Sequence, residues 1–202
     1  TYAVVMANIL LINGHQPFPT SPGRLTEAFV TRAENCLTAD GHMCRTTQVA
    51  KGWDIEAEVE NQLWADLIIL QFPLNSMGTP WSLKKYLDEV YTAGMDGRLA
   101  KGDGRTRSDP TRQYGSGGRM QDTAYMLSVT MNAPSAAFDD PKMKLFGGLS
   151  VDQLLSPVHI NFAFFGLMPR PTFTVFDVNK NPSIEADFAR FETHLKSVLA
   201  SI

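Results

Sequence analysis

The chain has 202 residues, with 18 Lys and Arg against 21 Asp and Glu for a formal net charge of -3, and 44% of it is hydrophobic. That size and composition suit one ordinary globular domain over 1–202. So even a balance leaves no clustered excess of Lys and Arg for nucleic acid or an anionic membrane surface, and no apolar run approaches the roughly 20 residues of a transmembrane helix.

Met6, directly before Ala7-Asn8-Ile9, reads as a native start with 1–5 added ahead of it, and no secretory signal is legible, so a cytoplasmic setting is expected. Ala7 to Ile12 is a short, near-continuous apolar run closed by Asn13-Gly14, the pattern of a strand buried on both faces. Leu25, Ala28, Phe29, Ala33, Cys36 and Leu37 recur at helical spacing before Asp40-Gly41, predicting a helix over Arg24–Ala39. His42 to Val49 is a weaker second strand, and Ile55, Val59, Gln62 and Leu63 predict a helix from about Asp54 to Trp64.

The strongest strand is Ala65 to Phe72, ended by Pro73, and it belongs at the centre of a sheet. Thr79 as N-cap with Pro80 at the first helical position predicts a helix to Tyr91, its buried stripe being Leu83, Leu87, Val90 and Tyr91. The stretch from Ala93 to Asp122, rich in Gly, Asp and Arg, is longer than ordinary loops, and loops of that length are functional or disordered. Tyr125 to Thr130 is a fourth strand, Pro157 to Pro171 holds an apolar helical segment, Thr172 to Phe176 is a fifth strand, and Phe188, Phe191, Leu195, Val198, Leu199 and Ile202 form the face of a last helix. Alternating strands and helices give an α/β fold, a five-stranded parallel sheet in the flavodoxin-like order with helices on both faces.

Several chemistries lack their parts. Cys36 and Cys44 are too few for a disulfide framework and spaced like no zinc motif, so two buried free thiols are expected. No metal site is legible among four scattered histidines, and neither GxxxxGK[ST], GxSxG nor GxGxxG is present. Position is more informative. Ligands of open α/β sheets sit beyond the carboxyl ends of the strands at the switch point, where FMN lies in the flavodoxin-like order. The loop from Asn13 to Gly23 leads into a helix N-terminus suited to phosphate, and is otherwise a capped surface turn. The turns Pro73 to Gly78, otherwise a structural strand-to-helix turn, and Thr130 to Pro134 meet it on the same rim.

Gln71-Phe72-Pro73-Leu74 followed by Gly78, Pro80, Leu83, Lys84, Asp88 and Val90 resembles the flavodoxin-like NAD(P)H:quinone oxidoreductase family. Asp103-Gly104-Arg105-Thr106-Arg107, Tyr114-Gly115-Ser116-Gly117-Gly118 and Thr130-Met131-Asn132-Ala133-Pro134 resemble its modulator of drug activity B branch. The resemblance implies non-covalent FAD at a homodimer interface, reduced by NADPH or NADH and reoxidised by a quinone in one two-electron step with ping-pong kinetics. It assigns flavin contacts to Ser21, Gly23, Arg24, Leu25 and Thr26, to Pro73, Leu74, Asn75, Ser76 and Met77, and to Tyr114, Thr130, Met131, Asn132 and Ala133.

No acid or base is obligatory for flavin chemistry, and Tyr114 and His159 are the weak catalytic candidates. For His159 a structural role is the alternative. Met77, Phe162 and Phe165 are candidates for the substrate pocket, the two phenylalanines being equally readable as core. The arginine-rich loop from Arg98 to Arg119 could hold a 2′-phosphate or embrace a partner subunit. A flavin-binding electron carrier or a regulatory protein with little turnover is the competing function.

Overall fold

A computed structural model describes residues 6–202, so the segment expected to precede a native start lies outside the described residues. The strands are β1 (Asn8–Asn13), β2 (Met43–Gln48), β3 (Leu67–Pro73), β4 (Ala124–Thr130), β5 (Met168–Pro169) and β6 (Phe173–Val175). The helices are α1 (Arg24–Ala39), α2 (Ile55–Trp64), α3 (Trp81–Ala93), α4 (Val151–Leu154), α5 (Ser156–Phe165) and α6 (Ile184–Leu199). All pairings are parallel, in the order β2-β1-β3-β4-β5, with β6 also on β4. This is the flavodoxin-like order. The two-residue β5 is an addition to the expected strands, pairing Met168 and Pro169 with Ala124 and Tyr125.

Strand alternation divides the core. Ile9, Leu11, Leu67, Ile69 and Met126 pack beneath α1 and α6, where Phe29 meets Phe188 and Phe191 edge-on at centroid distances of 4.8 and 5.1 Å. Leu10, Ile12, Ile68, Leu70, Leu127 and Val129 face α2, α3 and α5. The apolar continuity of β1, β3 and β4 follows, since each side of these strands is covered by helices.

Two local expectations change. Pro80, in the extended conformation at ψ 144°, takes the N-cap position, so α3 starts at Trp81 and Thr79 does not cap it. Cys36 and Cys44 are free but only partly buried, and burial pushes the Cys44 thiol up to about 11. The stripe of α2 also conceals a buried carboxylate: Glu58 accepts hydrogen bonds from Thr47 Oγ1 and from Tyr86 Oη at 2.6 Å. Gln62 continues the chain, donating to Tyr86 Oη and accepting from Tyr91 Oη.

The long segment between α3 and β4 is ordered by its own backbone. Lys101 N donates to Gly117 O, Arg119 N to Leu99 O and Gly115 N to Asp103 O, so its two limbs are stitched together. A Cβ on Gly117 would meet the backbone of Lys101, Gly102 and Gly104, which explains glycine at this crossing. Leu99, Ala100 and Met120 are buried at its base, while the tip carries Tyr114 into solvent.

Candidate functional site

The apolar strands turn polar where they reach their carboxyl ends. Asn13, Gln71 and Ser128 lie side by side in register on the α1 side of the sheet, and all three are buried. Ser128 Oγ donates to Gln71 Oε1, Asn13 Nδ2 donates to Glu27 Oε2, and Gln71 Nε2 is buried without a partner among the described residues. β1 lies between β2 and β3, so the chain leaves it in opposite directions and a crevice opens at that switch point.

Three loops border the crevice. In the first, Phe18 and Ser21 close a tight turn by reciprocal backbone bonds, which uses the Ser21 N–H. Gly23 is the N-cap of α1 at φ 93°, and no side chain caps the helix. The N–H groups of Arg24, Leu25 and Thr26 therefore have no acceptor among the described residues, the arrangement that receives an anion at a helix N-terminus. His15 supports this loop by donating from Nε2 to Ser21 O at 2.9 Å, and its buried Nδ1 has no partner among the described residues.

In the second loop, Asn75 and Gly78 exchange both backbone bonds, and Ser76 and Met77 sit between them at φ 46° and 64°. Two successive left-handed residues are costly for side chains other than glycine, and such strain collects at ligand-binding turns. The Leu74 N–H is bonded to Thr130 O, whereas those of Ser76 and Met77 have no acceptor among the described residues. In the third loop the Met131 N–H is bonded to Val175 O, and those of Asn132 and Ala133 are without one. Unbonded N–H groups on all three loops form a rim that fits a phosphate-bearing cofactor with a flat polar edge. Among the described residues no group of three or more His, Cys, Asp or Glu could hold a metal ion.

A cavity of about 590 Å³ lies between α3 and α5, lined by Met77, Leu87, Tyr91, Met95, Tyr114, Ile160, Asn161, Phe164 and Phe165 among others. Tyr114 leans on Phe164 at 5.6 Å between ring centroids, with the Arg105 guanidinium 5.4 Å from its ring centre. Met77, Tyr114 and Phe165 are thus brought together. Phe162 is not: it points into the core, stacked on Tyr125 at 4.3 Å, and corrects the expectation that it lines the pocket. Phe164, two positions on, faces the cavity in its place, as the helical period starting from Pro157 allows one to see.

His159 is occupied by structure. Tyr125 Oη lies 2.7 Å from Nδ1, and Nε2 lies 3.1 Å from Asp152 Oδ1, tying α5 to β4 and α4. With Nε2–H donating to the carboxylate, Nδ1 accepts from the phenol. The His159 hydrogen bond and the Thr172 hydroxyl hold the Asp152 carboxyl below its usual range, and burial pushes Tyr125 up to about 12.

A second cavity, of about 990 Å³, opens beside the start of α1 and is lined by His15, Gly23, Arg24, Arg32, Gln48 and Lys51 among others. Of the arginines in the long loop, Arg98 pairs with Glu56 and Asp96, and Arg105 with Asp103, while Arg107, Arg112 and Arg119 form no ion pair among the described residues. No helix among the described residues is long and apolar enough to cross a membrane.

A family profile described as flavodoxin-like fold matches residues 7–199. A Schizosaccharomyces pombe protein of uncharacterised function is 44% identical over 96% of this chain and 97% of its own length. The NADPH:quinone oxidoreductase MdaB of Haemophilus influenzae is 42% identical over 95% of this chain and 98% of its own length. Among solved structures, a Klebsiella pneumoniae protein superposes with a TM-score of 0.76 at 21% identity, covering 96% of this chain and 84% of that one. The NAD(P)H:quinone oxidoreductase of Methanothermobacter marburgensis does so with 0.68 at 13%, covering 95% and 98%. At those identities the two structures speak for the fold alone.

Proposed function

This chain belongs to the flavodoxin-like fold family, in its modulator of drug activity B branch, and on that footing we propose that it is an FAD-dependent NAD(P)H:quinone oxidoreductase working as a cytoplasmic homodimer. The observation that carries the reading is the rim of unbonded backbone N–H groups, contributed by Arg24 to Thr26, by Ser76 and Met77, and by Asn132 and Ala133. A flavin held there would supply the two-electron redox chemistry between the nicotinamide and the quinone. In sum, NAD(P)H, one proton and a quinone become NAD(P)+ and a hydroquinone.

The protein's part is binding and orientation. The uncapped start of α1 receives the diphosphate, and the absent side chain of Gly23 lets the backbone approach it. The Ser76-Met77 turn presents its two N–H groups to the polar edge of the ring system. The cavity bounded by Met77, Tyr114, Phe164 and Phe165 accepts a flat apolar ring. The one proton consumed comes from solvent, and the chemistry obliges no side chain to deliver it.

FAD is favoured over FMN by the large cavity beside α1, whose Arg24 and Lys51 suit a dinucleotide's second half. NADPH is favoured by Arg107, Arg112 and Arg119, which form no ion pair among the described residues. Dimerisation is supported by the apolar groups standing out on the α3–α5 side, Trp81 at 62% and Ile160 at 66% exposure. A ring-sized cavity next to the turn at Met77 favours turnover over an electron carrier, which needs none.

The test is direct. The purified protein should be yellow, release FAD on denaturation, bleach under NADPH without added acceptor, and give parallel lines in two-substrate kinetics with a 1,4-naphthoquinone. A colourless protein that cannot be loaded with flavin would refute the reading.

A further inference from the structure

Helix α5 turns Phe162 into the core, whereas Pro157, Ile160, Asn161 and Phe164 recur at helical spacing along the cavity between α3 and α5, whose floor includes the buried Val158 and Phe165. Asn161 is the polar member of that stripe. Its Nδ2 is buried and has no hydrogen-bond partner among the described residues.

Nothing local explains an asparagine there. It is a poorer helix former than leucine, which would also suit the apolar wall better. A buried amide without a partner is destabilising, and such a group in a native protein calls for an explanation. The other polar side chains of the lining are engaged or at the mouth: Tyr91 Oη donates to Gln62, and Lys84 pairs with Asp88 at the surface. Among the described residues, Asn161 Nδ2 is therefore the buried polar atom in this wall that lacks a partner.

We propose that Asn161 hydrogen-bonds a carbonyl oxygen of the quinone seated in this cavity and selects quinones over electron acceptors that lack such an oxygen. The proposal rests on the quinone oxidoreductase reading above and deepens it. Turned from the orientation in which Nδ2 is shielded from solvent, the amide NH2 donates to the carbonyl of the oxidised ring. After reduction that oxygen becomes a hydroxyl, and a half-turn of the amide presents Oδ1 to accept from it. Substrate and product are then held by one side chain, with Met77, Leu87, Met95 and Phe164 providing the apolar surface around it. A pocket that satisfies a polar group of its ligand discriminates strongly against analogues without that group, because its own group is then left unpaired.

Two near-isosteric substitutions remove the donor in different ways: Asn161→Leu makes the position apolar, and Asn161→Asp leaves only acceptors. Binding of a 1,4-naphthoquinone to the oxidised full-length protein is measured by calorimetry, and kcat/KM for the naphthoquinone is compared with that for ferricyanide, which carries no carbonyl. Both variants should bind the naphthoquinone about tenfold more weakly, and the ratio of the two efficiencies should fall by roughly the same factor. Unchanged binding in either variant, or a change confined to the sedimentation coefficient, would overturn the role of Asn161 while leaving the quinone reading in place. A wild-type protein that neither binds nor reduces the naphthoquinone would overturn both.

Discussion

The imidazole of His15 lies against the α-carbon of Gly23, in the volume that any side chain at position 23 would need. The same ring holds Ser21 O through Nε2, so one histidine shapes both the turn before α1 and its uncapped first residue. Gly23→Ala adds a methyl group against that ring and forces a left-handed φ of 93° on a residue that disfavours it. The variant should lose about 1–3 kcal/mol of stability and most of its flavin. Urea unfolding and the flavin-to-protein ratio after purification check this; full flavin content would show that the start of α1 is not the phosphate site.

Three buried tyrosines make the fold sensitive to alkali. Burial raises Tyr86 and Tyr91 well above their ordinary range, with the Glu58 carboxylate adding to the effect at Tyr86, and Tyr125 is pushed up to about 12. An unfolded tyrosine loses its proton near pH 10, so above that value the unfolded chain binds fewer protons than the folded one and stability falls. Their contribution is complete below about pH 10, and that of Tyr125 is lost by about pH 12. Tyr86→Phe should cost about 1–3 kcal/mol at neutral pH, because Glu58 loses a buried donor, and should make the alkaline decline shallower. Unfolding midpoints at neutral and alkaline pH measure both effects.

His159 is a strut, so His159→Ala should separate stability from rate. The Tyr125 phenol would lose its acceptor in a largely buried place, costing about 1–3 kcal/mol, whereas naphthoquinone reduction at saturating substrate should stay within about twofold of wild type. A rate loss well beyond the stability loss would restore His159 as a group acting on the substrate.

Ile160 stands out of α5 beside the cavity, on the face proposed to meet a second copy. Ile160→Asp places a charge there without touching the core and should shift sedimentation toward the monomer, with flavin retention falling in parallel. A variant that sediments like the wild type would remove α5 from the interface.

Much of this protein is written in local pattern. The apolar runs at Ala7–Ile12 and Ala65–Phe72 can be covered only from both sides, which fixes a parallel sheet with helices on each face, and the chain order of strands and helices then fixes where the rim of loops must be. The spacing of Leu25, Phe29, Ala33 and Leu37 delimits α1 at Arg24–Ala39, because a helix that buries one stripe shows its period. Other features depend on which distant atoms arrive nearby. That Glu58 is buried cannot be read from α2 alone, since Tyr86 and Thr47 make it tolerable and lie elsewhere in the chain. Phe162 and Phe164 look alike in sequence, yet one enters the core and the other the cavity, because the face of α5 that meets α3 is set by packing. The same packing leaves Asn161 Nδ2 without a partner among the described residues. Short-range periodicity specifies elements and their order; pairing of polar groups across elements, and hence the chemistry of the pocket, was decided by the tertiary structure.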